Sequence, residues 1–557
     1  MGAFGRGGCR GAGVRASLRF VRRALLALLL SVALALGAGL LPSGGAAFPS
    51  RIAALTTLAR VAHAEGAPSF REFPIGPGQR VTDHIPIDLD GDGFLDLVLV
   101  RRREVSIFLQ RDGRFEPERP NQRFNFVDAA IIWDHADLDG DGRPEVLFLT
   151  GDGVYYYRFE GGRLCFDPRP LLKTTSILRT ASRQEIRHTH FFRDLNGDDK
   201  ADLLLPAEGG FLLYRGKGGG EFAGPDRLEM RPEAWVDGGG ASPTSQVQNW
   251  FAYAEPASGE FNGDGLPDVF LYQSGQVYVF LQRPDRTFGP LPTHRLALAF
   301  EGALDPGRFK LDFQLPVKFA DADGDGLTDI VATHVGRATT CVFRGRADRR
   351  DLVRPDLIVK LPGITFLDFL YDLDGDQKLD LILARVDRPG LLDIVKVLIT
   401  REVSVEALVF FCRGGEGLYP RTPDYRREVS IPLLFSSGTR GINVGTSATL
   451  TAGGDFDGDG VNDLIVRSGS KSLAVYPGGG RQFAEDAAFE IEVSDMDGYR
   501  FLEPLALDLN GDAVSDLVLT YYSWDGKGDR VSIVLSSDTK RKGSAPEGGA
   551  APRKGGR

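Results

Sequence analysis

Residues 88–100 read DLDGDGFLDLVLV. The first nine of these residues carry acids at positions 1, 3, 5 and 9 and glycines at positions 4 and 6, and an apolar run follows directly. Variants of these nine residues occur eight times; we number them acidic loops 1–8, beginning at Asp88, Asp137, Asp194, Glu260, Asp321, Asp372, Asp455 and Asp508. Successive starts lie 49, 57, 66, 61, 51, 83 and 53 residues apart, a mean of 60. This period predicts an array of similar supersecondary units.

The residues after each loop indicate β-hairpins. An apolar run such as LVLV (97–100) is followed by a polar turn, a second run such as VSIFLQ (105–110), and later a turn such as GGGEF (218–222). One period therefore holds about four antiparallel strands, with the acidic loop between strands one and two. The sequence predicts an all-β protein, a single β-propeller of eight four-stranded blades, with seven blades as the alternative.

The two ends of the repeat array complement each other. The last repeat offers strands two and three (517–520 and 530–535), and the tail 538–557 has no apolar pattern and is expected to be disordered. A spare strand, SFREFPI (69–75), precedes the first repeat. We predict that it completes the last blade and closes the ring, within a propeller domain spanning 65–537.

Residues 1–64 are expected to be a signal peptide and leader. They carry eight arginines and no acid around the apolar stretch ALLALLLSVALALGAGLL (24–41), which is typical of a secretory signal. The alternative is a membrane anchor, because the stretch is just long enough to span a bilayer. AHA (62–64) is a candidate cleavage site. Cleavage would leave a secreted, periplasmic or cell-surface protein without a membrane span.

Charge excludes some classes of partner. Removing the eight leader arginines from a net charge of −10 leaves −18, which argues against nucleic acid and anionic membranes as partners. Cys165, Cys341 and Cys412 sit among strand residues without C-x-x-C spacing. We interpret them as small buried hydrophobic residues.

The acidic loops have the chemistry of calcium sites. Ca²⁺ takes six to eight oxygen ligands from carboxylates and backbone carbonyls, and alternate residues can converge on it if the chain curls at positions 4 and 6. Position 7 varies freely, which fits a ligand that donates only its backbone carbonyl. The predicted ligands at positions 1, 3, 5, 7 and 9 are Asp88, Asp90, Asp92, Phe94, Asp96; Asp137, Asp139, Asp141, Arg143, Glu145; Asp194, Asn196, Asp198, Lys200, Asp202; Glu260, Asn262, Asp264, Leu266, Asp268; Asp321, Asp323, Asp325, Leu327, Asp329; Asp372, Asp374, Asp376, Lys378, Asp380; Asp455, Asp457, Asp459, Val461, Asp463; Asp508, Asn510, Asp512, Val514 and Asp516.

The eight copies are not equivalent. Position 6 is Asp199, Gln377 or Ala513 in three loops, and these would be the weakest sites if the position needs a positive φ. Solvated acidic turns are the alternative explanation of any single loop. Several structural Ca²⁺ ions would neutralise the loops, since eight of them would bring the charge of −18 to −2.

The motif D-x-D-G-D-G-x-x-D-L followed by a hydrophobic strand resembles the FG-GAP / VCBS repeats of integrin α-subunit heads and many secreted bacterial proteins. This resemblance covers about 69–537 and implies a calcium-bearing propeller whose partners meet the face opposite the calcium loops. It implies no particular activity. The FG and GAP sequence segments that give the repeat its name are poorly matched in this chain, and GGEFAGP (219–225) is the nearest match.

Candidate ligand-binding residues lie in long connections on that opposite face. The insert 223–259 contains Trp235, Trp250 and Tyr253, and the turn 521–529 contains Trp524. Exposed aromatic residues of this kind suit a sugar or peptide, although ordinary loop packing is the alternative. Further inserts cover 308–316 and 425–454, and 389–404 has the spacing of a short helix.

Two function classes remain open. The first is a non-catalytic binding or adhesion scaffold for an extracellular glycan or protein; the second is a secreted polysaccharide lyase, because eight-bladed calcium propellers resemble rhamnogalacturonan lyases. A cluster of Lys, Arg and His at the channel mouth would favour the enzyme. His84, His135, His188 and His190 precede acidic loops on the expected innermost strands that line the channel. His188 and His190 could chelate a metal, and channel lining with local hydrogen bonds is the alternative.

Overall fold

The computed structural model describes residues 68–178, 185–230, 233–238, 247–252, 254–273, 275–298, 317–335, 337–347, 352–387, 391–438, 441–446, 450–501, 504–523 and 528–537. The expected signal peptide and leader (1–64), the expected disordered tail (538–557) and the insert 308–316 lie outside these residues. Within them the chain forms an eight-bladed β-propeller of small antiparallel sheets, which confirms the predicted fold.

Blades 1–4 follow one another along the chain. Blade 1 contains β2 (Val81–Ile87), β3 (Asp96–Arg101), β4 (Glu104–Phe108) and β5 (Gln122–Asn125). Blade 2 contains β6 (Ile132–Ala136), β7 (Glu145–Leu149), β8 (Gly153–Tyr157) and β11 (Arg169–Lys173), with a small hairpin of β9 (Phe159–Glu160) and β10 (Arg163–Leu164), and it gains β12 (Arg187–His188). Blade 3 contains β13 (Phe192–Arg193), β14 (Asp202–Ala207), β15 (Gly210–Gly218) and β16 (Glu221–Glu229), and is followed by the hairpin of β17 (Glu233–Gly238) and β18 (Val247–Ala252). Blade 4 contains β19 (Ala257–Gly259), β20 (Asp268–Gln273), β21 (Gln276–Phe280) and β22 (His294–Ala297).

Blades 5–8 complete the ring. Blade 5 contains β23 (Lys318–Ala320), β24 (Asp329–His334), β25 (Thr339–Phe343) and β26 (Leu357–Lys360). Blade 6 contains β27 (Ile364–Tyr371), β28 (Asp380–Val386), β29 (Glu402–Phe410), β30 (Tyr425–Gly438) and β31 (Gly441–Thr446), with helix α1 (Leu391–Thr400) between β28 and β29. Blade 7 contains β32 (Leu450–Gly454), β33 (Asp463–Arg467), β34 (Ser472–Tyr476) and β37 (Phe489–Glu492), with a hairpin of β35 (Gly478–Gly479) and β36 (Gln482–Phe483). Blade 8 contains β38 (Tyr499–Phe501), β39 (Leu505–Leu507), β40 (Asp516–Ser523), β41 (Asp529–Ser537) and β1 (Ser69–Gly78).

The N-terminal strand closes the ring as predicted. β1 pairs antiparallel with β41, so that Ser69 lies opposite Ser537 and Ile75 lies opposite Val531. This pairing supplies the fourth strand that the last repeat lacks. It also covers an edge that would otherwise present unpaired backbone groups.

The core is divided into interfaces between neighbouring blades. In β3, Leu97 and Leu99 pack in a cluster shared with blade 8, whereas Val98 and Val100 pack in a cluster shared with blade 2. The described residues form eight such clusters, one for each pair of neighbours around the ring. Because alternate residues of a strand face opposite sides of the sheet, strand two is covered on both faces, which explains its uninterrupted apolar sequence.

Strand direction separates two faces of the propeller. Acidic loops and three–four turns lie on one face, which we call the loop face. The two–three turns and the connections between blades lie on the other, the insert face. The insert face carries the β17–β18 hairpin, helix α1 in the predicted segment 389–404, and the hairpin formed by the end of β30 with β31.

The chain between blades 2 and 3 departs from the expected arrangement. His188 was expected on strand one of blade 3, but it lies on β12, which pairs in parallel with β6 of blade 2. Strand one of blade 3 is reduced to β13, which begins after His190. His84 and His135 lie on β2 and β6, the expected innermost strands. Among the cysteines, Cys165, Cys341 and Cys412 are free; Cys412 is buried and the other two are partly exposed.

Candidate metal-binding loops

All eight acidic loops share one backbone conformation. Position 4 takes a positive φ in every copy, as at Gly91 (75°), and so does position 6, as at Gly93 (88°). The three residues that replace glycine at position 6 take the same conformation, with φ of 62° at Asp199, 66° at Gln377 and 68° at Ala513. Position 6 therefore does need a positive φ, and the residues other than glycine at these three loops are strained.

The position-1 carboxylate organises the loop by accepting hydrogen bonds from its backbone. In loop 1 the Gly91 amide donates to Asp88 Oδ1 at 2.7 Å and the Gly93 amide donates to Asp88 Oδ2 at 2.9 Å. Positions 4 and 6 donate to position 1 in each of the other seven loops as well. The acid at position 1 thus holds the curl on which convergence of the other side chains depends.

Positions 5 and 7 form a second recurring contact. The position-7 amide donates to the position-5 carboxylate, as from Phe94 to Asp92 Oδ1 at 3.0 Å, and this bond is present in all eight loops. Because the contact uses only the backbone of position 7, it is consistent with the variable side chains there.

The position-9 acid connects the loop to strand three. Asp96 is fully buried, and its Oδ2 accepts from the Leu89 amide at 3.0 Å while its Oδ1 accepts from the Gln110 amide at 2.8 Å. Asp202, Asp268, Asp329, Asp380, Asp463 and Asp516 make the equivalent pair of bonds. The retained acid therefore has a structural role that the metal-ligand prediction missed.

Burial changes the acidity of these position-9 groups. Desolvation, with repulsion from the neighbouring loop acids, raises the pKa of Asp96 to about 7. The same cause raises the pKa of Glu145 to about 7 and that of Asp202 to about 6. The two amide donors oppose this shift but do not cancel it.

Oxygens of three carboxylates converge in at least four of the loops. Oxygens from three acids lie within 4.8 Å of one another in four loops, in the sets Asp88, Asp90 and Asp96; Asp137, Asp139 and Glu145; Asp321, Asp323 and Asp325; and Asp372, Asp374 and Asp380. Ligands on opposite sides of a Ca²⁺ ion are about 5 Å apart, so these sets fit around one ion.

Position 3 holds oxygens that have no protein partner. Asp90 Oδ1, Asn196 Oδ1 and Asp323 Oδ1 are buried and accept no hydrogen bond within the described residues. An unpaired buried acceptor is costly, and a cation is one way to satisfy it. The donor set and these orphaned oxygens therefore fit Ca²⁺.

Basic side chains reach several of the loops. Arg111 forms ion pairs with Asp90 and with Asp92, the latter at 2.7 Å, and Arg344 pairs with Asp323 and Asp325 in the same way in loop 5. Arg481 of blade 7 pairs with Asp374 of blade 6 at 2.9 Å. Sequence reasoning missed these cations, although Arg111 and Arg344 both follow the first residue of their loop by 23 positions.

The aromatic candidates on the insert face are only partly located. Trp235 lies opposite Trp250 in the β17–β18 ladder, so the sheet brings the two residues together as a cross-strand pair. Tyr253 and Trp524 lie outside the described residues. No described helix combines the length and apolar character needed to cross a membrane.

Comparison with known families agrees with the loop geometry. The model of the FG-GAP-like repeat matches residues 88–148 and 261–332, stretches that run through acidic loops 1, 2, 4 and 5. The chain contains FG-GAP-like repeats. Each matched stretch runs from one acidic loop through four strands to the next acidic loop, and so covers one repeating unit of the propeller.

Two human proteins share weak similarity with this FG-GAP-like chain. T-cell immunomodulatory protein is 25% identical over 204 residues, covering 34% of this chain and 29% of that protein. Cartilage acidic protein 1 is 23% identical over 418 residues, covering 70% of this chain and 57% of that protein. The chain therefore spans less than two thirds of the length of either relative.

Solved structures with similar folds are more distant. A lectin from Agrocybe aegerita, described for specific recognition of non-reducing terminal N-acetylglucosamine, aligns with a TM-score of 0.38 and 18% identity. The alignment covers 74% of this chain and 90% of the lectin.

Proposed function

We propose that this protein is a secreted, periplasmic or cell-surface propeller that is stabilised by calcium and acts as a non-catalytic binding or adhesion scaffold for an extracellular glycan or protein. The observation that carries the proposal is the set of buried, unpartnered oxygens at Asp90, Asn196 and Asp323. They belong to loops 1, 3 and 5, whereas in loops 4, 6, 7 and 8 the position-3 oxygen accepts from the position-5 amide.

Calcium would act on the structure of the propeller. It would bind the loop carboxylates that repel one another and would hold strands one and two of each blade in register. The ligands would be the residues at positions 1, 3, 5 and 9 and the carbonyl at position 7. An affinity of about 10⁻⁴–10⁻³ M suffices outside the cell.

The partner would bind on the insert face. Connections there include two hairpins and helix α1, whose Ile399 is 76% exposed. Trp235 lies opposite Trp250 in the β17–β18 ladder, and tryptophan is a residue type that stacks on sugars or packs against peptides. We assign residues 1–64 as a cleaved signal and leader, which would place the propeller in a calcium-rich compartment.

A polysaccharide lyase is the second candidate. One observation favours it: inner strands near blade 2 gather His135, His188 and His190, a possible set of acid–base groups beside the channel. Incubation with pectin-type oligosaccharides, read by the absorbance of the unsaturated product, tests it. Product formation that is abolished by His188→Gln would replace the scaffold proposal with the enzyme.

Two measurements test the proposed function. Thermal unfolding with excess EGTA and with millimolar Ca²⁺ is expected to show a gain of at least about 5 °C in calcium. A glycan array, run under the same two conditions, is expected to show binding that needs calcium and is lost in Trp235→Ala/Trp250→Ala. Phe166→Ala is the matched control, because Phe166 is an exposed aromatic residue on the loop face (47% exposed). Equal melting temperatures in EGTA and calcium would refute the calcium proposal.

A further inference from the structure

A second cluster of metal-ligand side chains lies away from the acidic loops, where blades 2 and 3 meet. β12 pairs in parallel with β6, and His188 lies opposite Trp133 in that ladder. The Thr189 amide donates to the Trp133 carbonyl at 2.9 Å, which continues the pairing toward His190. The crossing segment therefore brings His188 and His190 to Asp134 and His135 of β6.

Asp134 is oriented toward these imidazoles by the backbone. Its side chain is fully buried, and its Oδ2 accepts from the amides of Phe191 at 2.8 Å and Phe192 at 2.9 Å. Its Oδ1 accepts from the His135 amide at 2.8 Å and faces the three histidine rings. Fixing one oxygen and presenting the other is how outer partners orient a carboxylate ligand at metal sites.

The backbone of the histidine segment is held as well. The His188 amide donates to Asp83 Oδ2 at 3.1 Å, and the His190 amide donates to Glu255 Oε1 at 3.3 Å. Trp133 packs edge-on against the His188 ring with centroids 4.7 Å apart. The imidazoles are thus positioned by strands β2 and β6 and by the segment that precedes β19 of blade 4.

The ligand atoms of Asp134, His135 and His188 lie within 4.8 Å of one another, close enough to share one metal ion. Asp134 Oδ1 lies 3.4 Å from His188 Nε2, 3.4 Å from His190 Nδ1 and 4.0 Å from His135 Nδ1, and His135 Nδ1 lies 3.0 Å from His188 Nε2. With metal–ligand bonds of about 2.0–2.1 Å, tetrahedral geometry places ligand atoms about 3.3 Å apart. We propose that Asp134, His135 and His188 bind a Zn²⁺ ion or a similar divalent transition metal, and that His190, whose Nδ1 lies 3.4 Å from Asp134 Oδ1, completes the ligand set when the ion is bound.

Local hydrogen bonding explains only part of the geometry, namely the 3.0 Å contact between His135 Nδ1 and His188 Nε2. A charge-assisted bond from imidazolium to carboxylate is about 2.7–2.9 Å long, whereas both His188 and His190 stand 3.4 Å from the same oxygen. Three imidazole nitrogens with one carboxylate also match the preference of zinc, while calcium takes six to eight oxygens. The site is therefore chemically distinct from the acidic loops.

An ion can reach the cluster from solvent. The side chains of His188, His135 and His190 are 10%, 23% and 48% exposed, whereas Asp134 is closed off. The order of exposure suggests that His190 is the ligand whose loss least disturbs the fold, and it is the safest position for a test.

The test uses the chain treated with EDTA and then dialysed into excess Ca²⁺, so that the acidic loops do not compete. Zn²⁺ titration by calorimetry is expected to show one equivalent bound with a Kd of about 1 μM or tighter. Co²⁺ is expected to give the intense visible bands of tetrahedral coordination. His190→Gln is expected to weaken Zn²⁺ binding at least about tenfold, and His135→Gln/His188→Gln to abolish it.

His294→Gln, which removes a histidine on β22 outside the cluster, is the matched control and is expected to bind Zn²⁺ as the original chain does. The melting temperature in Ca²⁺ shows whether each variant is folded. Absence of stoichiometric Zn²⁺ binding, or equal binding by the folded His190→Gln variant and the original chain, would overturn the proposal.

Discussion

The Arg101 guanidinium donates to the backbone carbonyl of Asp529 at 2.8 Å and so binds blade 1 to the last strand of the chain. The same guanidinium donates to the carbonyls of Gln79 at 2.8 Å and Gly76 at 3.0 Å. The Asp529 carboxylate in turn accepts from the Val81 amide at 2.9 Å. Arg101 and Asp529 are both buried. Closure of the ring thus depends on a buried polar contact as well as on the β1–β41 ladder.

Replacing Arg101 should open this closure. Arg101→Met removes the donor from the buried Asp529 carbonyl and from two partly buried carbonyls, and we expect the free energy of unfolding in saturating Ca²⁺ to fall by about 2 kcal/mol. Urea unfolding followed by circular dichroism measures it. Arg123→Met is the control, because the Arg123 side chain is 59% exposed; we expect a change within about 0.5 kcal/mol. Equal losses in both variants would contradict the closure role.

Positions 5 and 9 of one loop should respond differently to the same change. Asp96→Asn turns an amide group toward one of two backbone donors and also weakens a calcium ligand, so we expect a loss of about 2 kcal/mol in EGTA and a larger loss in calcium. Asp92→Asn keeps an oxygen for the Phe94 amide, so its cost should appear only in calcium. Unfolding of both variants under both conditions separates the roles. If Asp96→Asn lost stability only in calcium, the Asp96 carboxylate would act as a calcium ligand and would not be needed to hold the two backbone amides.

The pH dependence of the calcium-free chain should be unusual for a protein rich in acids. Burial raises the pKa of Asp96, Asp268 and Asp463 to about 7, whereas these groups titrate near 3.8 in the unfolded chain. The folded state therefore binds more protons between these values, and this contribution to stability is lost as pH rises through about 7.

We therefore expect the melting temperature in EGTA to rise as the pH falls from 7.5 to 5. In calcium the opposite trend is expected, because protonation displaces the ion from the same carboxylates. Thermal scans at pH 5, 6 and 7.5 with and without Ca²⁺ measure both trends. A calcium-induced gain that is unchanged across this interval would count against coupled protonation and binding.

Glycine should be better than the native residue at two loop positions. Ala513 and Gln377 take positive φ, so Ala513→Gly and Gln377→Gly are each expected to raise the free energy of unfolding by about 1 kcal/mol. Ala506→Gly in β39 is the control and is expected to lower it by about 1 kcal/mol, because glycine weakens a strand. A neutral or destabilising Ala513→Gly would mean that the loop stores no strain.

Arg111 should compete with calcium in loop 1. Its guanidinium pairs with Asp90 and Asp92, so Arg111→Gln is expected to lower the Ca²⁺ concentration for half-maximal thermal stabilisation by about two- to fivefold. Arg114→Gln removes the same charge from an exposed position in the same turn and is the control. Equal shifts in the two variants would show a general effect of net charge and no competition at the loop.

Local pattern predicted a large part of the fold. The recurring loops and the spare strand 69–75 led to eight blades and to the β1–β41 closure, because a propeller blade is a local unit and its strands are neighbours in sequence. The helix α1 lies in the segment whose apolar spacing indicated one. The same reasoning could not predict that the Gln110 backbone amide donates to the Asp96 carboxylate, since that hydrogen bond depends on the register of two strands.

The repeat by itself determined the number of blades, the curl of each acidic loop and the alternation of apolar residues between neighbouring interfaces, because all three arise from residues close together in the chain. Only the tertiary structure decided which groups from distant blades meet. Arg481 forms an ion pair with Asp374 of the neighbouring blade. His188 lies beside Asp134 because of a parallel strand pairing that no local sequence pattern predicts. The physical reason is that a closed ring fixes these separations through packing at every interface, and no short stretch of sequence contains that constraint.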